Sequence, residues 1–256
     1  MIAKIYVQRD PATGEFINKN VYNAWYGFTK MGVWAEPFVW SDLEAGKVEL
    51  SRDAPVIGGI HAVRSALAQL GAPPPENIDY PPVLEPFLRR RVRRATIREA
   101  HHLCVDDRFD PPVFIKPVTG HKEFTGHVLA VYRDMIRTVG WAAEAPDTAV
   151  WISDIVAFAA EWRYFVHHRE IVGVGHYHGD PLRAPDPEVV RAAVLAYTDC
   201  RSAYVIDFGV LADGRTALVE VNDGFSFGCY GLNPHAHAQM LESRWLEMVG
   251  LTDDGG

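Results

Sequence analysis

The sequence contains few cysteines, no long apolar run and no leader-like start. Its three cysteines lie far apart without a CxxC pair, which is typical of reduced thiols in a cytoplasm rather than of a disulfide framework. No segment approaches the roughly 18 uninterrupted apolar residues of a membrane-spanning helix. The first residues, MIAKIYVQRD, lack the apolar core of a signal peptide and predict a strand. We therefore expect a cytoplasmic protein without a membrane partner.

An excess of basic residues is also missing. The net charge of -8 argues against a general nucleic-acid-binding protein, because such proteins usually have a surplus of lysine and arginine. Hydrophobic residues make up 48% of the 256 residues and charged residues 23%, as in ordinary globular proteins. One arginine-rich segment, residues 89–98, lies in a helix predicted from Val83 to Ala100. Two interpretations stay open for it: a solvated helix face, or a surface that docks a phosphate or an acidic partner.

Strand and helix patterns predict an α+β fold in two regions, residues 1–100 and 101–256. In the first region, the aromatic segment from Tyr22 to Trp40 is expected to form strands or loops. Residues 55–70 follow a strand-turn-helix pattern, and the prolines of residues 73–82 predict a linker. In the second region, most strands are expected to pair with antiparallel neighbours, with helices between them.

The last predicted hairpin combines three oxygen ligands. An Asp-Gly pair at residues 213–214 predicts the turn, with Asp207 on the first strand and Glu220 and Asn222 on the second. Residues two apart in a strand point to the same face, so Glu220 and Asn222 project together, and the turn brings Asp207 alongside them. Carboxylate and amide oxygens suit Mg²⁺, which takes further ligands from water and phosphate. The hairpin therefore predicts a magnesium–nucleotide site; the alternative is the polar outer face of an edge hairpin.

Two lysines are candidates for phosphate binding. Lys116 ends an apolar strand just before Pro117, where a lysine is costly to bury unless it meets an anion. It is expected either to bind phosphates as a point charge or to extend to the surface. The glycine-containing loop of residues 119–126 is expected either to fold over phosphates, with Lys122 as the contact, or to form an ordinary turn. The loop is not a Walker motif, because GxxxxGK[ST] is absent.

Arg163 lies in the segment Glu161-Trp162-Arg163 at the start of another predicted strand. It is a candidate for stabilising negative charge on a transferred phosphate or an acyl phosphate, and the alternative is an exposed cross-strand ion pair. His176 and His178 share a strand face, but no third ligand has the spacing of a zinc site. The absence of GxSxG gives no indication of a serine nucleophile.

These motifs, taken in order, resemble the ATP-grasp superfamily. The matching segments are VFIKP with Lys116, the loop 119–126, EWR at 161–163, IDFGV with Asp207, and LVEVND with Glu220 and Asn222. More narrowly, EWRYFV together with LVEVNDGFSFGCYGL resembles a divergent clade. That clade includes the eukaryotic cell-division-cycle protein that assists assembly of a translation initiation factor. The likeness covers roughly residues 110–250.

The resemblance implies an ATP-grasp fold, in which two α+β subdomains surround a nucleotide and follow a small α/β N-terminal subdomain. Its implied cofactors are ATP and Mg²⁺. Lys116 would bind phosphate, Arg163 would face the phosphates or an acyl phosphate, and the metal ligands would be Asp207, Glu220 and Asn222.

The resemblance also implies an adenine hinge at the strand of residues 151–154. Ser153 and Asp154 stand there in place of the glutamates of many members. The implied activity is ligation of a carboxylate to an amine through an acylphosphate, and the unknown substrate is a small molecule, a peptide or a protein. Because they directly follow the predicted metal-binding strand, residues 224–231 are expected either to form part of the acceptor pocket or to be a glycine-rich surface loop. Two other hypotheses stay open: an ATP-binding assembly factor that forms no bond, and a metal-free small-molecule-binding domain.

Overall fold

A computed structural model of the protein describes residues 2–118, 124, 126–139 and 146–251. Over these residues the chain forms β-sheets flanked by helices. The strands are β1 (Lys4–Gln8), β2 (Trp34–Phe38), β3 (Val56–Ile57), β4 (Val92–Thr96), β5 (Cys104–Val105), β6 (Arg108–Pro117), β7 (His127–Val131), β8 (Ala149–Asp154), β9 (Phe158–His167), β10 (Glu170–Gly179), β11 (Ala203–Leu211) and β12 (Thr216–Asp223). The α-helices are α1 (Lys19–Lys30), α2 (Trp40–Glu44), α3 (Ile60–Gln69), α4 (Glu85–Leu88), α5 (Ile97–His101), α6 (Tyr132–Val139), α7 (Pro187–Ala196) and α8 (Pro234–Met248).

The N-terminal sheet is parallel, in the order β2-β1-β3. The predicted strand-turn-helix pattern is confirmed as β3 and α3. The expectation of strands or loops for the aromatic segment 22–40 is wrong for residues 22–30, which belong to α1, and it is confirmed for residues 34–38, which form β2. Asn18 caps α1, and Val21, Ala24 and Phe28 recur on its buried face at helical spacing. This spacing outweighs the preference of aromatic residues for strands.

The helix predicted from Val83 to Ala100 is also wrong. A 3₁₀ turn and the short helix α4 end at Arg89, which adopts a left-handed φ of 54°. The chain then forms β4, an antiparallel neighbour of β8, before α5 begins with Thr96 and Glu99 as a capping box. Most of the arginine-rich segment therefore lies in β4 or directly before it, rather than on the face of a helix.

The middle sheet has the order β4-β8-β6-β5, and β7 pairs with β6. Here Lys116 at the end of β6 lies directly opposite Trp151 of β8. The apolar residues Ile115, Leu129 and Val150 pack beneath them as a core. The predicted strand around Lys116 is confirmed, and alternation along it directs the lysine to the sheet face opposite this core.

The C-terminal sheet is antiparallel, in the order β10-β9-β11-β12. All nine residues of β11 are buried, because both faces of the sheet are covered. One face packs against α7, and the other packs against α8 and the N-terminal region. Helices α1 and α8 approach so closely that a Cβ at Gly27 would lie 1.9 Å from the carbonyl oxygen of Pro234. Glycine is therefore needed at this crossing.

Arg90 joins the middle and C-terminal sheets. Its guanidinium donates to the hydroxyl of Ser153 on β8 at 3.0 Å. It also donates to the carbonyl oxygens of Leu218 and Val219 on β12, at 2.6 and 2.9 Å. By contrast, the neighbouring Arg93 is exposed on β4. Within the arginine-rich segment, Arg90 thus forms hydrogen bonds between two sheets, whereas Arg93 is exposed to solvent.

Among the residues that the structure describes, none of the helices combines the length and apolarity needed to cross a lipid bilayer.

Replacement of Arg90 by methionine should lower the free energy of unfolding by about 2–4 kcal/mol, because it leaves part-buried acceptors without their charged donor. Urea denaturation would measure the change. Arg93→Met is the matched control from the same segment and should alter stability by less than about 0.5 kcal/mol. Equal effects of the two substitutions would contradict the joining role of Arg90.

His237 of α8 gives the fold a dependence on pH. It is 2% exposed, and burial lowers the pKa of its imidazole to about 3. The native state therefore binds fewer protons than the unfolded state between that value and the ordinary histidine pKa near 6.5. Stability is lost as pH falls through this window, by up to about 1.4 kcal/mol per pH unit. The free energy of unfolding of His237→Gln should fall less steeply from pH 7 to pH 5 than that of the wild type; identical slopes would exclude this contribution.

Candidate active site

Three predicted site residues form a row across the C-terminal sheet. Arg163 of β9 lies directly opposite Asp207 of β11, which in turn lies opposite Glu220 of β12. Paired residues of neighbouring strands project to the same face, so the three side chains share one surface. The predicted hairpin is confirmed, and it brings Asp207 beside Glu220.

Arg163 and Asp207 form a buried, bidentate ion pair. The guanidinium donates two hydrogen bonds to the Asp207 carboxylate, at 2.8 and 2.7 Å. Burial raises the pKa of Asp207 to about 6, although the hydrogen bonds and charge of Arg163 act in the opposite direction. For Arg163, burial by itself would lower the pKa, but its hydrogen bonds and attraction to Asp207 raise it. Arg163 thus forms the cross-strand ion pair of the alternative interpretation, but the expected exposure is wrong, because the Arg163 side chain is only 11% exposed.

Lys116 and Asn222 converge on Glu220. The ammonium nitrogen of Lys116 lies 2.8 Å from Oε2 of Glu220, and the amide of Asn222 donates to Oε1 at 2.8 Å. Burial alone would raise the pKa of Glu220, but the Lys116 charge and the Asn222 hydrogen bond lower it. Glu220 is thus an ionised carboxylate. The Lys116 side chain is 13% exposed, so it does not extend to the surface.

Asp79, in the proline-rich segment, is a site residue that the sequence analysis missed. Its carboxylate accepts from Lys116 at 2.7 Å and from the indole nitrogen of Trp151 at 3.0 Å. The segment was interpreted as a linker because of its prolines. The apolar Ile78 and Tyr80 on either side of Asp79 were a signal that this part of the linker packs against the protein.

A cavity of about 350 Å³ opens beside these charges. Its wall includes Asp79, Lys116, Glu220, Asn222, Phe225 and Ser226. The last two belong to the segment 224–231 that was predicted to shape an acceptor pocket. The cavity therefore combines an ammonium group, carboxylates, an amide and an aromatic wall.

The same segment also contributes Tyr230, which packs beside Arg163. The Tyr230 ring centre is 5.2 Å from the guanidinium carbon and 5.2 Å from the ring centre of Tyr177. Tyr177 donates to Glu161 at 2.8 Å. A Cβ at position 175 would lie 2.4 Å from the Tyr230 carbonyl oxygen, so Gly175 permits this packing. Aromatic rings thus shield one side of the Arg163–Asp207 pair from water.

The predicted hinge residues have protein partners. Ser153 is buried and accepts from Arg90, while the Asp154 carboxylate accepts from the backbone and side chain of Arg91. Neither side chain faces the cavity, so a contact with adenine from this strand would use backbone groups. Lys122 and most of the loop 119–126 lie outside the described residues, although Phe124 and Gly126 line the cavity.

The donor chemistry of the cavity wall fits Mg²⁺ in part. Glu220 and Asn222 place carboxylate and amide oxygens two residues apart on one strand face, as hard cations prefer. Both oxygens of Asp207 accept from Arg163, and those of Glu220 accept from Lys116 and Asn222. The assignment of Asp207, Glu220 and Asn222 to a metal therefore stays a prediction. Within the described ranges, no cluster of three or more histidine, cysteine, aspartate or glutamate side chains could hold a metal ion.

Sequence comparison places the chain in a known family. The profile of the ATP-grasp domain, R₂K clade family 2, matches residues 87–240, which is more than half of the chain. The protein belongs to this ATP-grasp family. The resemblance inferred from the ordered motifs is thereby confirmed. No curated protein matches the chain.

Solved structures agree on the ATP-grasp fold. D-cycloserine synthetase DcsG is 12% identical with a TM-score of 0.59, and the alignment covers 94% of this chain and 99% of that one. D-alanine–D-alanine ligase from Bacillus anthracis is 15% identical with a TM-score of 0.54, covering 96% and 97%. Macrocyclase MdnC from Microcystis aeruginosa, bound with precursor peptide MdnA, is 12% identical with a TM-score of 0.52, covering 94% and 98%. The α+β ATP-grasp fold expected from the sequence is confirmed.

Proposed function

We propose that this ATP-grasp protein is an ATP-dependent carboxylate–amine ligase that acts through an acylphosphate. The observation that supports the proposal most directly is the meeting of Lys116, Glu220 and Asn222 at one cavity. The ion pair of Arg163 and Asp207 lies in the adjoining positions of the same sheet face. An ATP-grasp fold with these charges is suited to holding a nucleotide and stabilising phosphoryl transfer.

In the proposed reaction, an oxygen of the substrate carboxylate bonds to the γ-phosphorus of ATP. The bond between that phosphorus and the bridging oxygen of the β-phosphate breaks, and ADP is the leaving group. The amine nitrogen then bonds to the acyl carbon, phosphate leaves, and the amine proton passes to solvent. Lys116 binds the phosphates, and Arg163 offsets the negative charge that develops during the transfer. Aromatic shielding by Tyr177 and Tyr230 limits access of water to the acylphosphate.

The metal in this proposal is Mg²⁺, held by Glu220 and Asn222 with Asp207 as the third ligand. When bound, it screens the charge of the phosphates and polarises the transferred group. Lys122 and the backbone around Ser153 and Asp154 are proposed as further nucleotide contacts.

We also propose that residues 1–100 form an N-terminal subdomain and residues 101–256 the catalytic region. β4 lies before this boundary but pairs with β8 beyond it, so the two regions share a sheet. The candidate substrates include a peptide or a protein. The precursor peptide bound to MdnC, a protein with a similar fold, supports this choice of class.

Glu220→Gln should remove the Mg²⁺ dependence of ATP affinity, because the amide lacks the charge that binds a divalent cation. Calorimetric titration of ATP, with Mg²⁺ or with a chelator, measures this directly. The matched control is Glu170→Gln at the exposed start of β10, which should behave as the wild type. A variant that kept the full Mg²⁺ effect would show that Glu220 is not a metal ligand. ATP binding without any ADP release, tested with mixtures of amino acids and short peptides, would favour an assembly factor instead.

Arg163→Lys should lower the rate of ADP release by at least about a hundredfold while changing ATP affinity much less, because lysine keeps the charge but lacks the planar, bidentate guanidinium on which stabilisation of the transition state depends. Steady-state kinetics and calorimetry separate the two effects. Arg183→Lys, an exposed arginine paired with Asp180, is the control and should change neither quantity. Loss of affinity at an unchanged rate would assign Arg163 to ground-state binding.

A further inference from the structure

Asp79 lies outside the segment that matches the family profile, which begins at residue 87. It is 7% exposed and adopts a left-handed φ of 56°, a conformation that aspartate tolerates better than most residues. Its backbone exchanges two hydrogen bonds of 2.9 Å with Val221 of β12. Asp79 is therefore fixed at the edge of the strand that contains Glu220, and its side-chain direction is set by the backbone.

Each oxygen of the Asp79 carboxylate has a separate partner in the middle sheet. Oδ1 accepts from the Lys116 ammonium at 2.7 Å, and Oδ2 accepts from the indole nitrogen of Trp151 at 3.0 Å. These two residues lie directly opposite each other on β6 and β8. The carboxylate thus spans a cross-strand pair, and the indole holds it in the orientation that receives the lysine.

The neighbouring Tyr80 completes the surroundings of Lys116. The ammonium nitrogen lies 4.6 Å from the Tyr80 ring centre, and the same ring contacts Trp151 edge-to-face at 5.0 Å. A lysine ammonium has three N–H donors. Asp79 and Glu220 accept two of them, which leaves the third for an oxygen of a ligand in the adjoining cavity.

We propose that Asp79 is a positioning residue of the nucleotide site, which holds the Lys116 ammonium in place for the phosphates of ATP. The proposal rests on the proposed function. When Glu220 serves the metal, Asp79 is the carboxylate that continues to orient Lys116 and to balance its charge. The N-terminal linker is then a structural part of the nucleotide site rather than a simple connection.

A different physical role for Asp79 predicts the opposite result. A carboxylate close to bound phosphates repels them, so loss of its charge would strengthen binding of the nucleotide if repulsion were its main effect. Loss of positioning weakens binding, because Lys116 becomes free to leave its orientation. The sign of the change in affinity therefore distinguishes the two roles.

The test is calorimetric titration of the ATP analogue AMPPNP, with Mg²⁺, into the full chain and its variants. Asp79→Asn should weaken affinity by about tenfold to a hundredfold, the loss expected for a charged hydrogen bond. In the background of Lys116→Met, the same change should have less than about a twofold effect, because Asp79 acts through Lys116. Asp213→Asn, in the exposed turn between β11 and β12, is the matched control and should bind as the wild type.

Trp151→Phe keeps the aromatic ring but removes the hydrogen bond to Asp79, and it should give a smaller loss in the same direction. This variant tests the proposal even where Asp79→Asn fails to fold, which thermal unfolding would reveal. Wild-type or tighter affinity in either single variant would overturn the positioning role. An equal loss with and without Lys116 would also overturn it. If the wild-type protein bound no Mg-nucleotide, the proposed function would fail together with this inference. If the wild-type protein bound the nucleotide and the variants bound it equally well, only the inference would be refuted.

Discussion

The ammonium group of Lys116 lies in the interior of the site, where an unpaired charge would lose its hydration without compensation. Asp79 and Glu220 supply that compensation at 2.7 and 2.8 Å. Lys116 ends β6, whereas the two carboxylates come from the proline-rich linker and from β12. Balance of this single charge therefore requires three distant parts of the chain to meet, and the cavity lies where they meet.

The same constraint recurs along the C-terminal sheet. Asp207 is paired with Arg163 on the next strand, and Asp223 is paired with Arg244 of α8, in both cases through two hydrogen bonds. Buried pairs of this kind depend on close geometry, because removal of either partner leaves an uncompensated charge. They also create strong, fixed electrostatic fields beside the cavity, as the proposed phosphoryl transfer would require. The chemistry and the architecture of the site thus depend on the same ion pairs.

Sequence analysis succeeded where the pattern is local. The Asp-Gly turn and the alternation around Glu220 are contained in about a dozen residues, and the structure has the hairpin they predict. It failed for residues 22–30, where aromatic content obscured helical spacing, and for residues 83–100. In the second case one helix was predicted from Val83 to Ala100, but Arg89 ends α4 in a left-handed conformation and pairing with β8 stabilises a strand. Strand pairing depends on a partner about sixty residues away, which no local pattern records.

The sequence by itself determined the family, the α+β fold and the set of motifs that reach the site, because these depend on residue order and short-range periodicity. Only the tertiary structure decided which charges meet. Lys116 is separated by 37 residues from Asp79 and by 104 from Glu220, and both contacts arise from the packing of separate sheets. The tertiary structure also pairs Asp207 with Arg163 and makes Asp79 part of the site. The physical reason is that a buried charge selects its partner by distance and desolvation in the folded chain, and neither quantity is defined until the sheets have packed.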